Sequence, residues 1–291
     1  MIEQNTTRVR KRSLHWCIGI GLALVTSLGT ADRSPADVLA KYPDWSGQWS
    51  RVPDGGVPRY DPSKPLRNQE APLKPEYRAR HEVSLRDIAA GGFGFDMNYR
   101  CFPSAMPRMM TGVSNMEFVI LPTVTRILFE QLMFAPRRIY TDGRAWPDQM
   151  EPAFVGYSIG KWIDSDEDGR YDTLEVETRH IKGPKFWDQT GMPMAEDNEA
   201  VVKERLHLDS ADPNILVNEM TTLDNSLTRP WSALKRYRRS RQVFWVDYSC
   251  VDGNPYLAIE GQAYMLGGDG KLMPTRKDQP APSLEHFQRK Q

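Results

Sequence analysis

From Met116 onward, apolar and polar residues alternate with a period of two, and short turn-forming clusters punctuate the alternation. Met116–Leu121 and Val124–Gln131 read as a hairpin around Pro122-Thr123, and Arg137–Thr141 ends at the Asp142-Gly143 turn signal. Two strands flank an acidic run, Phe154–Ile163 before it and Thr173–Thr178 after it. Ala200–Leu208, Ile215–Leu223, Leu234–Arg239, Val243–Cys250 and Tyr256–Met265 continue the series. The strongest helical pattern is Pro75 to Ala90, with proline at the first position, Tyr77, Val83, Leu85 and Ile88 among charged residues, and Gly91 as the stop. Many short strands with almost no helix between them predict a mainly β protein with antiparallel pairing. At this size a barrel-like, lipocalin-like closure best removes free edges, and a two-sheet sandwich is the alternative. The chain divides into a leader at 1–31, a Pro-rich irregular lead at 32–110 containing the one short helix, a β domain at 111–268 and an extended strap at 269–291.

The run Asp164-Ser-Asp166-Glu-Asp168-Gly169-Arg170-Tyr-Asp172 has the oxygen-ligand spacing of a calcium loop. Asp164, Asp166, Asp168 and Asp172 supply carboxylates, Arg170 supplies its carbonyl, and Gly169 allows the sharp turn. Without a cation, four carboxylates this close repel one another. Period-two segments on both sides make this a strand–loop–strand unit, unlike a helical calcium hand, so a structural calcium ion is expected here. The alternative is a solvated acidic turn. The spacing D-x-D-x-D-G-x-x-D-x-L-x-V is similar to the hairpin calcium loops of integrin-type propeller repeats, but a single copy does not support a propeller.

The N-terminus changes the expected compartment. Arg8, Arg10, Lys11 and Arg12 precede an apolar run from Leu14 to Leu28 and the small residues Gly29-Thr30-Ala31. This is the build of a cleaved signal peptide, with an uncleaved anchor as runner-up and a periplasmic or secreted destination. Removing residues 1–31 takes away four basic residues and Glu3, so the balance of 38 to 38 becomes 34 to 37, a net charge of −3. That balance gives no footprint for nucleic-acid binding. Cys101 and Cys250 survive processing. An oxidising compartment would let them pair and close a loop of about 150 residues, worth roughly 4–5 kcal/mol in a chain-entropy model; two buried thiols are the alternative.

Charged residues within apolar strands are the remaining chemical signal. Arg137, Arg138 and Arg144, with Arg229 downstream, offer planar recognition of carboxylate or phosphate, and Tyr140, Tyr157 and Trp231 offer apolar walls. Inside a barrel they would form an anion-tipped pocket for a small, partly apolar ligand with an anionic or carbonyl group. The competing readings are buried ion pairs that fix register, or a solvated outer face. An enzyme would use the same cavity for acid–base chemistry of lyase, isomerase or hydrolase type, with His180, Asp142 or Glu204 moving the proton. The Gly156-Tyr157-Ser158-Ile159-Gly160 match to a hydrolase elbow lacks the required strand-to-helix context. No histidine pair has zinc spacing. Met106, Met109, Met110 and Met116 beside Phe93, Phe95 and Phe102 form either core packing or a plastic lid.

Arg137-Arg-Ile-Tyr-Thr-Asp-Gly-Arg144, Gly156-x-Ser158-Ile-Gly-x-Trp162, Asp172-Thr-Leu-x-Val-Glu-Thr178 and Asn225-x-Leu-Thr-Arg-Pro-Trp231 resemble the motifs of a large, uncharacterised family of exported bacterial proteins. The resemblance spans nearly the whole chain after residue 31. It implies an exported β-rich protein and no catalytic residues, with calcium as an elaboration of this branch.

Overall fold

The computed structural model describes residues 38–52, 71–112, 114–130, 135–246, 256–259, 262–267 and 270–282. All of them fall within one compact unit, Pro35–Gln291. The leader at 1–31 and Cys250 lie outside the described residues. Among the described residues, no helix is long and apolar enough to cross a membrane.

Nine strands close a barrel in chain order: β1 (Gln48–Arg51), β2 (Met116–Leu121), β3 (Val124–Phe129), β4 (Arg137–Tyr140), β5 (Tyr157–Ile163), β6 (Thr173–Arg179), β7 (Val201–Leu208), β8 (Ile215–Leu223) and β9 (Trp231–Ser240). The expected barrel is present. Its closing seam pairs β1, a short strand of the N-terminal lead, with β2 on one side and β9 on the other. Alternation decides which residues point inward. In β7, Val202, Glu204 and Leu206 are buried; in β8, Leu216, Asn218, Met220 and Thr222; in β9, Trp231, Ala233, Lys235 and Tyr237. Register is unambiguous because a slip of one residue would turn these chains to solvent.

One pair departs from antiparallel order. β4 runs parallel to β5, with Ile139 opposite Ser158, so the 141–156 connection must return along the barrel. Gly160 makes this joint possible. A Cβ there would sit 2.6 Å from Ile139 Cγ2 and 3.0 Å from the Glu175 carbonyl oxygen. A side chain at this position would push β4 off its neighbour.

Helix α1 (Pro75–Ala89) opens with proline at its first turn and matches the predicted helix. The short helix α2 (Arg108–Thr111) is buried throughout. It reaches the barrel interior, because the Tyr237 hydroxyl donates to the Met110 carbonyl at 2.6 Å. The Met cluster is core: Met106, Met109, Met110 and Met116 are each at most 2% exposed.

Two C-terminal expectations are corrected. Residues 243–246 form no strand, and 247–250 lie outside the described residues. The reason is visible in their bonding: Gln48 Nε2 donates to the Phe244 carbonyl, and the Val246 N–H donates to Glu130, so side chains take the place of a ladder. The strand expected at Tyr256–Met265 is a hairpin, β10 (Tyr256–Ile259) with β11 (Gln262–Leu266), extended by β12 (Leu272–Pro274) from the expected strap. These three make a sheet of their own, separate from the barrel.

Candidate functional site

The barrel interior is packed, and its centre is an ion pair. Arg137, 1% exposed, comes from β4, and Glu204, 3% exposed, comes from β7. The guanidinium grips the carboxylate with both terminal nitrogens, Nη1 lying 3.1 Å from Oε1 and Nη2 bonding Oε2. Arg137 also donates to Thr178 Oγ1 at 2.9 Å and to Ser158 Oγ at 3.4 Å, while Asn218 donates to Glu204 Oε1 at 2.8 Å. Five strands are tied by one network. Burial at this depth makes each of these bonds strong and each deletion expensive. The Tyr237 hydroxyl is pushed above its ordinary range by burial and by the Glu204 charge.

Aromatic plugs fill both ends. Beside the acidic loop, Trp45 packs on Phe118 and Trp162, with ring centroids 5.2 and 5.0 Å apart; its backbone N–H donates to the Pro43 carbonyl, and its own carbonyl accepts from Trp49 Nε1. Arg239 lies 4.6 Å over the Trp49 ring and donates to the Asp44 carbonyl at 2.5 Å. At the opposite end the β6–β7 connection inserts Trp187, tilted against Trp231 with ring centroids 4.8 Å apart and donating to Thr222 Oγ1. The anion-tipped pocket expected in the lumen is therefore occupied by the protein's own side chains.

The residues predicted to line that pocket divide among several places. Arg137 and Trp231 face inward, whereas Arg138 and Arg229 are exposed. Tyr140, Arg144 and Tyr157 do meet, but on the outer face. Arg144 lies 3.8 Å over the Tyr140 ring, pairs with Asp142 at 2.7 Å, and contacts the Tyr157 hydroxyl. The ladder continues through Trp146, 6.0 Å from Tyr157, to Arg179, 4.4 Å over Trp146. The three acid–base candidates do not converge. Glu204 is locked in the lumen, and Asp142 is held below the usual carboxylate range by its hydrogen bonds from Arg144. His180 occupies a left-handed turn at φ 55°, its carbonyl accepting from Ala153.

In the acidic loop, Asp164, Asp166 and Asp172 each bring an oxygen within 4.8 Å of the others. Backbone N–H groups of Asp168 and Gly169 fix the Asp164 carboxylate at 3.1 and 2.9 Å. Asp168 is not in that group; its carboxylate accepts from the Arg170 N–H, and Arg170 is exposed. Burial raises Asp172, but hydrogen bonds from Thr173 and Ser165 outweigh it and hold the pKa low. Ser165 bonds Oδ2 twice, while Oδ1 is buried with no hydrogen-bond partner among the described residues. Three carboxylates, one with an unused oxygen, suit a hard, oxygen-seeking cation.

The open space lies outside the barrel. A cleft of about 370 Å³ runs between α1, the 92–101 loop and the small sheet, and is lined by Asp87, Phe93, Phe95, Tyr99, Leu257 and Arg276. Phe93 and Tyr99 pack in a tilted pair with centroids 5.0 Å apart. Arg276, 35% exposed, donates to Asp87 Oδ1 at 2.9 Å, and Asp87 Oδ2 accepts from the Gly94 N–H. A Cβ on Gly92 would fall 2.1 Å from Asp87 Oδ2, so glycine is what lets the loop close over that carboxylate. Cys101 also lines the cleft. A second groove, about 490 Å³, is the outer face of β5–β8, where Lys161, Glu175, Arg205 and Glu219 stand opposite one another in alternating sign. That alternation is register chemistry.

Sequence reasoning missed the cleft and the ionisable groups of the β6–β7 connection. Lys185 is 2% exposed, its amine has no hydrogen-bond partner among the described residues, and burial pushes its pKa down against the charges of Asp224, Asp197 and Glu196. Asp188 is equally buried. The local signal was the Asp-x-Thr turn 188–190, a common surface feature. Comparison with family models, with curated proteins and with solved structures finds no match.

Proposed function

We propose that the protein is an exported, calcium-stabilised β-barrel protein that binds a small, partly apolar molecule carrying an anionic or carbonyl group. The binding site is the cleft between α1, the aromatic loop and the β10–β12 sheet. The observation that carries this reading is the contrast between the two spaces. The lumen is filled by Arg137, Glu204 and tryptophans, while the cleft has room for a ligand and joins an aromatic wall to a half-committed guanidinium. A volume of about 370 Å³ lies in the range of small-molecule sites. Arg276 has five N–H donors and gives one to Asp87, leaving others for a carboxylate, sulfonate or carbonyl oxygen.

Export is supported by the leader-like 1–31 segment, and the proposed Cys101–Cys250 disulfide would brace the cleft floor, Cys101 being one of its lining residues. Calcium is assigned a structural role. It would sit among Asp164, Asp166 and Asp172, clamp the β5–β6 hairpin and relieve their mutual repulsion. The cleft is tested by fluorescence titration with anilinonaphthalene sulfonate, an aromatic anion of suitable chemistry. Arg276→Gln should weaken a saturable, single-site signal about tenfold at unchanged melting temperature. Equal affinity in wild type and variant would refute the assignment.

A further inference from the structure

Asp188, Thr190 and His81 meet where the β6–β7 connection crosses α1. Asp188 Oδ1 lies 2.6 Å from Thr190 Oγ1, which in turn lies 2.9 Å from His81 Nε2. The geometry is held from several sides. Ser84 Oγ donates to the Thr190 carbonyl at 2.7 Å and accepts from the Phe95 N–H at 2.9 Å. Thr190 N–H donates to Asp188 Oδ1 at 3.0 Å. Gly191, at φ 70°, permits this contact, because a Cβ would lie 2.6 Å from Ser84 Oγ. The carboxyl is buried, the hydroxyl and imidazole are partly exposed, so the three groups run from the interior toward the surface.

We propose that Asp188, Thr190 and His81 form a hydroxyl-bridged carboxyl–imidazole couple, an acid–base site that passes a proton between the barrel interior and the protein surface. The hydroxyl has one proton and two neighbours, so two arrangements satisfy both contacts. In the first, Asp188 is ionised and accepts from Thr190, while His81 Nε2–H donates to Oγ1. In the second, Asp188 is a neutral acid donating from Oδ1 to Oγ1, while Thr190 donates to a bare Nε2 and the imidazole carries its proton on Nδ1.

Burial favours the second arrangement by holding the Asp188 carboxyl above the usual carboxylate range. Hydrogen bonds from Thr190 and the charges of Lys235 on β9 and His81 on α1, the charged groups that face it, act the other way. Asp188 Oδ2, buried and with no hydrogen-bond partner among the described residues, likewise favours the uncharged form. Passage to the first arrangement releases one proton. It departs from Nδ1 of the imidazole, the Thr190 hydroxyl proton moves to Nε2, and the Asp188 Oδ1 proton takes its place on Oγ1. The carboxyl thus loses its proton to solvent without itself reaching water. No bond between heavy atoms forms or breaks.

Imidazole nitrogen NMR tests this directly, with His81→Gln assigning the resonances. Wild type should carry the Nδ1–H tautomer while Asp188 holds its proton and switch to Nε2–H in a single step as pH rises through the carboxyl's folded value. Thr190→Ser should keep the switch, because it keeps the hydroxyl. Thr190→Val should abolish it. Asp188→Asn should hold Nε2–H at every pH above the imidazole's own titration, since the Thr190 N–H keeps the amide oxygen in the accepting place. An Nε2–H tautomer throughout in wild type, unchanged by Asp188→Asn, would overturn the proposal; that reading on unmodified protein stands even if a variant fails to fold.

Discussion

Replacing Arg137 by methionine isolates the role of the central network. The methionine fills most of the side-chain volume but leaves Glu204 at 3% exposure with the Asn218 amide as its remaining donor among the described contacts. Both bonds from the guanidinium to the carboxylate disappear, as do those to Thr178 and Ser158. Removing one partner of a buried, hydrogen-bonded pair costs about 3–5 kcal/mol, because the survivor must stay charged without water or take up a proton. At roughly 2–4 °C per kcal/mol for a domain of this size, the melting temperature should fall by about 6–20 °C. Circular-dichroism melts checked by urea unfolding at pH 7 measure it. Arg137→Met with Glu204→Leu should recover most of the stability, since an apolar pair of similar volume removes the stranded charge. A fall of less than about 2 °C in the single variant would refute the idea that this pair locks the barrel.

Further outcomes follow from the same contacts. Asp188 has a folded pKa raised above its unfolded value, so its contribution is fully present below about pH 4 and is lost as pH rises through the folded value. Asp188→Asn should therefore gain stability relative to wild type as pH increases, read from paired melts between pH 4 and 8; parallel curves would contradict this. Chelation should lower the melting temperature and calcium should restore it, an effect that Asp172→Asn should abolish; identical melts with and without chelator would exclude a stabilising ion. Gly160→Ala should destabilise by about 1–3 kcal/mol through overpacking against Ile139 and the Glu175 carbonyl, measured by urea unfolding.

The strands were legible where their burial alternates: in β7, Val202, Glu204 and Leu206 already show in sequence the period that packs them. The direction of β4 against β5 was not, since a period of two is the same for parallel and antiparallel neighbours. Gly160 is the residue where that information sits, and it becomes readable once Ile139 is seen against it. Arg137 announced itself as a charge in an apolar strand. Whether such a charge binds a ligand or locks a barrel depends on Glu204, Thr178 and Asn218, which lie on three other strands. The acidic loop was legible because its ligand spacing is local, although Asp168 turns to the backbone of Arg170 instead of to Asp164. The cleft had no local signature at all, since it joins residues 83–101 to residues 257–276.

The central claim is that the lumen is a packed core and the cleft beside it is the binding site. It is tested most directly by comparing two variants in one assay of anilinonaphthalene sulfonate affinity and melting temperature. Arg276→Gln should weaken binding about tenfold with an unchanged melt. Arg137→Met should lower the melting temperature while leaving affinity, measured well below the melt, within twofold of wild type. The opposite pattern, with affinity lost in Arg137→Met and kept in Arg276→Gln, would place the ligand in the barrel and contradict the account.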